Sequence, residues 1–373
     1  MSACTNTWAL ITGEYPPRDG GVADYTRLVA RGLAARGDRV HVWAPACAMP
    51  APADDGVEVH SLSDGFSPAS LRQLSGAFTG LPSSTRVLVQ YVPHAFGWKA
   101  MNIPFCLWLS SLRRPLWVMF HEVAVPWNLR LPRTNVIAAV TKAMARTLAF
   151  TAERCFVSIP AWQKMIGRTA TWLPIPSSLP SQVDPDAAAA VRRSLGAVGE
   201  TQIIGHFGTF GHYVAPILRS TLPKLLGDPR RFALLTGRGS REFAAELLDL
   251  HPGLCGRVHA AGVVPAEVAA VNLAACDVVL QPFPDGATTR RTSLMASVAL
   301  GRPVVTNSGP LTEPLWRESR AVAMAGKPDP IELAEWVERL LDDDDIRKGI
   351  GSRAAALYRR EFALDRTLGV LRG

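Results

Sequence analysis

The chain lacks the cysteine patterns that hold metals or form redox pairs. Its 373 residues include six cysteines, and no two of them are separated by only two residues. A CxxC pair is the usual sign of a zinc site or of a redox-active dithiol. We therefore expect small, buried cysteines in a reducing compartment, and no metal.

Long apolar runs are also missing. The most apolar stretch, FCLWLSSLRRPLWVMF, is interrupted by Arg113, Arg114 and Pro115. It falls short of the roughly 18 uninterrupted apolar residues that a membrane span requires. The first residues, MSACTNTW, show neither the basic region nor the apolar run of a secretion signal. These absences favour a cytoplasmic protein, either free or peripheral to the inner face of the membrane.

The chain has no basic tail, although its formal net charge is +8. A basic protein favours anionic partners such as nucleic acids, acidic membranes or phosphorylated ligands. The basic residues are scattered, without zinc-finger spacing or a basic helix followed by heptads, so we expect no nucleic-acid partner. At 48% hydrophobic residues, the composition is that of an ordinary folded protein, and a length of 373 residues is enough for more than one core.

Strand and helix patterns alternate along both halves. WALIT, Val22–Arg36 and RVHVWAP read as strand, helix and strand, which is the unit that builds parallel sheets. The stretch WLPIPSSLPSQVDPD then has linker composition, and the alternation restarts with TQIIGHFGTF. We predict an α/β fold with Rossmann-like domains at residues 1–175 and 200–360. Ligands of such sheets bind at the carboxyl ends of strands, and gaps between domains are common ligand sites.

The first candidate site is the loop EYPPRDGGVADY. Gly20 and Gly21 follow a strand and precede a helix, where exposed N–H groups and a partial positive charge suit a phosphate. The loop matches neither GxGxxG nor a P-loop, so a plain tight turn is the alternative.

The second candidate is MFHE, in which His121 and Glu122 end a strand. A histidine in this position is able to hydrogen-bond a substrate hydroxyl or a transferred group. The alternative is a histidine that ties down its own loop.

The third candidate, FPDGATTRRTSLMA, gives the strongest indication of an anion site. Arg290 and Arg291 supply fixed positive charge, and the planar guanidinium group matches a phosphate. Hydroxyl groups flank them at Thr288, Thr289, Thr292 and Ser293. The alternative is a solvated basic turn with an ordinary threonine N-cap.

Two glycine loops, GHFGTFGHY and LLTGRGS, follow strands of the second half. Gly208 and Gly237 allow a ligand to approach the backbone, and Arg238 is placed to contact a nucleotide. Each loop alone is compatible with a turn. Both are expected at the same sheet edge as the arginines, which favours one shared site.

In this order, the motifs resemble the family 4 glycosyltransferases. The resemblance rests on the EYPPRDGG loop, HE, WLPIPSS, GTF, LLTGRGS, DVVLQPFPDG, GRPVV and the closing ALYRREFALDRTL. It implies a GT-B fold, with two Rossmann-like domains facing across a cleft and residues 361–373 crossing back to the first domain. It further implies retaining transfer of a sugar from a UDP- or GDP-linked donor to a hydroxyl acceptor, with no metal or cofactor.

The resemblance also implies roles for residues. His121 lies near the transferred sugar, and Asp24 and Glu122 are assigned to the acceptor. The donor-binding set is Gly20, Gly21, Gly208, Thr209, Gly237, Arg238, Thr288, Thr289, Thr292 and Ser293.

One departure from the family is clear. The family carries two glutamates with seven residues between them, and their positions fall at Thr288 and Ala296. Where the family has an arginine and a lysine, the chain offers His212 and Arg219. We therefore expect Arg290 and Arg291 to carry the diphosphate charge as catalytic residues, together with His121. A non-catalytic sugar-nucleotide-binding partner and an epimerase of the same fold are the alternatives.

The acceptor class stays open between a small molecule, a glycan and a lipid-linked sugar. Aromatic and basic residues concentrate in one part of the first half, and this composition suits a lipid headgroup surface. They are Trp108, Arg113, Arg114, Trp117, Trp127, Arg130 and Arg133. Core tryptophans beside a solvated charged turn are the alternative.

Overall fold

The computed structural model describes residues 5–125, 127 and 132–373, with the side chains of 132 and 133 left out. The chain divides into two compact units. The first runs to Pro174 and includes Leu364–Gly373, and the second is Ile175–Ala363. Among the described residues, no helix has the length and apolar character needed to cross a membrane.

The first unit is built on a seven-stranded parallel sheet. Its strands are β1 (Thr7–Thr12), β2 (Arg39–Pro45), β3 (Val57–Leu62), β4 (Arg86–Tyr91), β5 (Leu116–Phe120), β6 (Arg154–Val157) and β7 (Thr171–Trp172). They lie in the order β3-β2-β1-β4-β5-β6-β7. Its first helices are α1 (Gly21–Ala34), α2 (Pro68–Thr79), α3 (Ile103–Ser111), α4 (Pro132–Thr151) and α5 (Ala161–Ile166), with short 3-10 turns at Pro93–Phe96 and Trp98–Ala100.

The second unit repeats this design with six parallel strands. They are β8 (Gln202–Phe207), β9 (Arg231–Thr236), β10 (Val258–Gly262), β11 (Val278–Leu280), β12 (Val304–Asn307) and β13 (Ala323–Ala325). Their order is β10-β9-β8-β11-β12-β13. The helices are α6 (Pro185–Ser194), α7 (Ala215–Leu225), α8 (Ser240–Leu250), α9 (Ala266–Ala274), α10 (Thr292–Ala299), α11 (Pro314–Ser319), α12 (Pro330–Asp342) and α13 (Asp344–Leu357), with turns at Pro252–Leu254 and Tyr358–Phe362.

The apolar strand patterns explain why these sheets are parallel. Trp8, Leu10 and Ile11 on β1 are all completely buried, so both faces of the strand are covered. Strands covered by helices on both faces are the hallmark of parallel α/β sheets. The predicted fold, two Rossmann-like α/β domains, is confirmed.

The last helix, α14 (Leu364–Arg372), packs against α1 in the first unit. Gly32 makes this contact close, since a Cβ there would lie 2.5 Å from Leu368 Cδ1. The guanidinium group of Arg372 also pairs with the buried carboxylate of Asp38 (Nε–Oδ2 3.2 Å). Packing against α1 and the ion pair with the buried Asp38 therefore hold this short amphipathic helix on the first unit.

The proline-rich segment is not a bare linker. Its last two residues begin α6, whose N-terminus is capped by the Asp184 side chain. Arg192 on α6 contacts the carboxylate of Asp277 at 2.8 Å and the Ala275 carbonyl at 2.9 Å. These contacts join the segment to the second unit, which composition alone did not indicate.

Part of the predicted membrane cluster does not lie on the surface. Trp117 is 3% exposed and packs edge-on against Trp8 in the core. Arg114 donates hydrogen bonds to the carbonyls of Phe78, Leu81 and Pro82, so it closes the end of α2. Trp127 is exposed. Arg130 and the side chain of Arg133 lie outside the described residues.

The sheet orders place the ligand-binding edges. In each sheet the strand order reverses at one point, between β1 and β4 and between β8 and β11. Loops that leave two neighbouring parallel strands in opposite directions open a crevice at such a point, and ligands of these folds bind there.

Candidate functional site

A pocket of about 220 Å³ opens in the second unit at the β8–β11 reversal. It is lined by His206, Phe207, Gly208, Thr209, Val214, Gln281, Phe283, Arg290, Arg291, Thr292 and Ser293. Six of these residues were named as candidate site residues in two separate sequence motifs that were expected to meet. The structure therefore brings Gly208, Thr209, Arg290, Arg291, Thr292 and Ser293 together.

Asp285 holds both arginines. Its Oδ2 accepts from Arg290 Nη2 at 2.7 Å, and its Oδ1 accepts from Arg291 Nη2. Burial alone would raise the pKa of Asp285, but Arg291 and Arg290 outweigh it and lower that pKa. The three ionised side chains thus carry one net positive charge, in fixed positions beside the pocket.

The two glycine loops touch through their backbones. Gly237 has φ +121°, and a Cβ there would lie 2.0 Å from the Gly208 carbonyl oxygen. Gly208 N donates to Thr236 O and Phe210 N donates to Arg238 O, both at 3.0 Å. Gly237 and Arg238 do not line the pocket. Gly237 instead packs against the backbone of the Gly208 loop, and Arg238 is exposed.

Thr288 and Thr289 are also not part of the pocket lining, contrary to the expectation for donor contacts. Both are completely buried. Thr289 donates its N–H and its hydroxyl to Glu313 Oε1 at 2.9 and 2.6 Å. Trp316 Nε1 donates to Glu313 Oε2 at 2.9 Å. Glu313 therefore anchors the loop that leads to the arginines.

The positions of the two family glutamates are both closed to solvent. Thr288 and Ala296 are 0% exposed, the latter on α10. A nucleotide ribose in the pocket cannot reach a carboxylate at either position, because neither residue carries one. The departure seen in the sequence therefore leaves both positions without a carboxylate, and neither position lines this pocket.

His206 lines the pocket, and sequence reasoning missed it. Its Nδ1–H donates to the Leu280 carbonyl at 2.7 Å, which leaves Nε2 as a hydrogen-bond acceptor. Burial lowers the pKa of His206 to about 4, so the ring is neutral at pH 7. The only sequence signal is a polar residue within the apolar strand QIIGHF.

Gln281 is a second residue that the sequence did not single out. It is completely buried at the end of β11. Its Nε2 donates to the Phe207 carbonyl at 2.9 Å, and its Oε1 accepts from Ser293 Oγ at 3.4 Å. Gln281 therefore joins the end of β8 to the start of α10 across the pocket.

His206 should make the second unit sensitive to acid. Its pKa is depressed in the folded chain, so the unfolded chain binds more protons between about pH 6.5 and 4. The contribution of neutral His206 to the free energy of unfolding is fully present above pH 6.5. It falls as pH drops toward 4, by at most about 1.4 kcal/mol per pH unit. In His206→Asn, where the amide replaces the Nδ1 donor, we expect a shallower loss between pH 7 and pH 5. Urea unfolding at the two pH values measures this.

The exposed His251 provides the matched control, since His251→Asn removes an imidazole without opening a buried site. An equally steep acid loss in His206→Asn and in the unmodified chain would contradict the assignment of a buried, neutral His206.

In the first unit, the chain's own carboxylate occupies the predicted anion site at Gly20 and Gly21. Glu14 Oε1 accepts from the N–H groups of Val22 and Ala23, both at 3.2 Å. A Cβ at Gly20 would lie 2.4 Å from Glu14 Oε1, so this glycine is needed for the capping contact. The sequence suggested that the first-turn amides of α1 are exposed. In the structure they are not, because the Glu14 side chain accepts hydrogen bonds from two of them.

His121 ends β5 as predicted and is 6% exposed. Its Nε2–H donates to Gln90 Oε1 at 2.8 Å, and burial lowers its pKa to about 3. Its carbonyl accepts from Ser158 Oγ and Trp162 Nε1 at 3.1 and 3.0 Å. The ring is neutral, and the hydrogen bonds to the His121 carbonyl hold the loop after β5 in place. Gln90, its partner on β4, was not recognised from the sequence.

The remaining predicted residues lie apart from these contacts. Asp24 is exposed on the first turn of α1, and Glu122 is half-buried after β5. Arg219 pairs with Glu246, and His212 is exposed with its ring against Tyr213. Neither Arg219 nor His212 lines the pocket, so neither replaces the basic pair of the family there.

Comparison with known proteins gives a family match and a fold. Residues 19–153 match the profile of the family described as Glycosyltransferase Family 4. No curated protein sequence matches the chain.

Solved structures of similar fold cover nearly all of the chain. HepE (Alr3699) of Anabaena with UDP and glucose has a TM-score of 0.70, 18% identity and 98% coverage of both chains. Sucrose-phosphate synthase of Thermosynechococcus elongatus has 0.71, 19% and 98% of both. WaaG, a glycosyltransferase involved in lipopolysaccharide biosynthesis, has 0.68 and 15%, covering 98% of this chain and 99% of its own. These likenesses establish the GT-B fold, and the profile match confirms the predicted resemblance to family 4 over residues 19–153.

Proposed function

We propose that this chain, which has the GT-B fold and matches glycosyltransferase family 4 over residues 19–153, transfers a sugar from a nucleoside diphosphate sugar to a hydroxyl acceptor. The transfer proceeds with retention and without a metal. The pocket of the second unit binds the donor. His121, at the end of β5, hydrogen-bonds the transferred sugar.

The observation that carries this proposal is the position of Arg290 and Arg291. Both line the pocket at the strand-order reversal, and Asp285 fixes both. Negative charge grows on the diphosphate as the glycosidic bond breaks. Fixed guanidinium groups stabilise this charge more strongly in the transition state than in the ground state, which lowers the barrier. The arginines take the role that a divalent cation has in other transferases.

The neighbouring groups define how a donor is held. Thr209, Thr292 and Ser293 offer hydroxyls at the pocket, and the neutral His206 offers an acceptor nitrogen. These groups suit the hydroxyl and N–H groups of a sugar nucleotide. The HepE structures, one of which contains UDP-glucose, support a UDP-linked donor over a GDP-linked one.

His121 acts as a neutral hydrogen-bonding group in this proposal. With a pKa near 3, it does not donate a proton as an imidazolium at pH 7. Gln90 fixes its ring by accepting from Nε2. Asp24 and Glu122 are proposed to bind the acceptor, whose class of small molecule, glycan or lipid-linked sugar is left to experiment.

A non-catalytic sugar-nucleotide-binding protein is the second candidate. It is favoured by the absence of carboxylates at Thr288 and Ala296, where the family carries its glutamate pair. Such a protein would bind the donor in the same pocket and would not break its glycosidic bond.

Donor binding and donor hydrolysis separate the two candidates. We expect UDP and UDP-glucose to raise the melting temperature of the chain, with GDP and GDP-mannose as the comparison donors. We also expect slow release of UDP from the bound donor, unchanged by EDTA. Calorimetric binding and a nucleoside diphosphate release assay measure these results. Binding without release would leave the binding protein as the function, and no binding of any sugar nucleotide would refute both.

A further inference from the structure

Two histidines and a glutamate meet on the edge of the first sheet. His41 lies on β2, and Glu58 and His60 lie on β3. The parallel register sets His41 opposite Glu58 and Trp43 opposite His60. Because alternate residues of a strand share a face, the register places all three polar side chains on one side of the sheet.

Their ligand atoms have the spacing of donors around one small cation. His41 Nδ1 and His60 Nε2 are 3.1 Å apart. The separation is 3.3 Å between His41 Nδ1 and Glu58 Oε2, and 3.6 Å between His60 Nε2 and Glu58 Oε1. Ligands at 2.0–2.1 Å from a tetrahedral zinc ion lie about 3.3 Å from each other. All three separations therefore fit a shared ion with small adjustments.

The two imidazoles are held in place by an aromatic neighbour. The Trp43 ring stacks on His60 at 4.6 Å with an angle of 16°, and on His41 at 5.7 Å with an angle of 28°. Trp43 is buried and contacts Phe78 of α2 edge-on. This packing orients the ring nitrogens before any ion arrives, which reduces the ordering required on binding.

The donors are also of a suitable chemical type, and one of them is open to solvent. Glu58 is exposed, with 65% of its side-chain surface accessible, so an ion can enter from solvent. Two imidazoles and one carboxylate suit zinc, whereas calcium and magnesium prefer oxygen ligands.

We propose that His41, Glu58 and His60 bind one zinc ion, with a water molecule in the fourth position. The ion links β2 to β3, which lies at the edge of the sheet formed by the described strands. The site is separate from the sugar-nucleotide pocket, which lies in the second unit. It does not depend on the proposed glycosyl transfer, and it revises the expectation of no metal.

Zinc titration of the full chain without a histidine tag tests this site. We expect one equivalent to bind by calorimetry and to raise the melting temperature. We expect His60→Gln and Glu58→Gln each to weaken binding at least about tenfold. Co²⁺ in place of Zn²⁺ should give the visible absorption bands of a four-coordinate site in the unmodified chain and lose them in both variants.

Two variants serve as controls. His94→Gln removes an exposed histidine of the same unit, and Cys47→Ser removes an exposed thiol. Both should bind zinc as the unmodified chain does, and far-UV circular dichroism verifies that every variant is folded. The proposal is overturned if zinc does not bind, if a control variant loses the binding, or if folded Glu58→Gln and His60→Gln retain it.

Discussion

Arg290→Ala is expected to lower the rate of nucleoside diphosphate release by about 10²–10³-fold, the usual effect of removing one fixed donor to a developing charge. Arg290 lines the pocket and is held by Asp285 at 2.7 Å. Without it, Asp285 and Arg291 form a neutral pair, so this group of side chains loses its net positive charge. Because that charge matters most as the glycosidic bond breaks, kcat should fall more than affinity for the donor.

The matched control is Arg230→Ala. Arg230 also pairs with an aspartate of the second unit, Asp228, at 2.8 Å, but it is exposed and does not line the pocket. We expect a near-normal rate for this variant. A folded Arg290→Ala chain with the activity of the unmodified chain would rule out the proposed role. An equal fall in both variants would attribute the effect to general loss of charge.

Gly237→Ala is expected to damage the donor pocket through the backbone. The new Cβ would meet the Gly208 carbonyl oxygen at 2.0 Å, and φ at this residue is +121°. The strained backbone costs about 1–3 kcal/mol, and the overpacking costs a similar amount. Relief requires the Gly208 loop to move, so both stability and donor affinity should fall. Urea unfolding and calorimetric titration with UDP measure the two effects.

Gly211→Ala is the control within the same loop. A Cβ added there would have no atom within 4 Å, and its φ is not positive. We expect a change in stability of no more than about 0.5 kcal/mol, as is usual for exposed positions. Normal stability and UDP affinity in Gly237→Ala would mean that the two glycine loops do not support each other in solution.

The sequence was most informative where a function depends on local chain geometry. Gly208, Thr209, Arg290 and Ser293 follow apolar strands or begin a helix, and parallel strands bring such positions to one sheet edge. Their meeting in one pocket was therefore predictable without any knowledge of side-chain contacts. Their roles toward a donor stay predictions until binding and activity are measured.

The same reasoning was less successful where a carboxylate side chain accepts hydrogen bonds from donors that the motif leaves without a partner. Thr289 reads as a ligand hydroxyl in its motif, but Glu313, 24 residues later, takes both its donors. The amides after Gly20 read as an anion site, but Glu14 caps them. In both cases a carboxylate satisfies groups that the local pattern leaves open: Glu14 comes from the same loop, and Glu313 lies just before α11.

By itself, the sequence determined two α/β units with parallel sheets, because uninterrupted apolar strands alternating with amphipathic helices have few other ways to bury their surfaces. It also determined that one strand end would carry two adjacent arginines. Only the tertiary structure decided which charged groups are paired and which histidines are neutral. It set Asp285 between the arginines, buried His206 in its neutral form, and aligned His41 with Glu58 and His60 across two strands. These pairings depend on strand register and loop packing, which local sequence patterns do not encode.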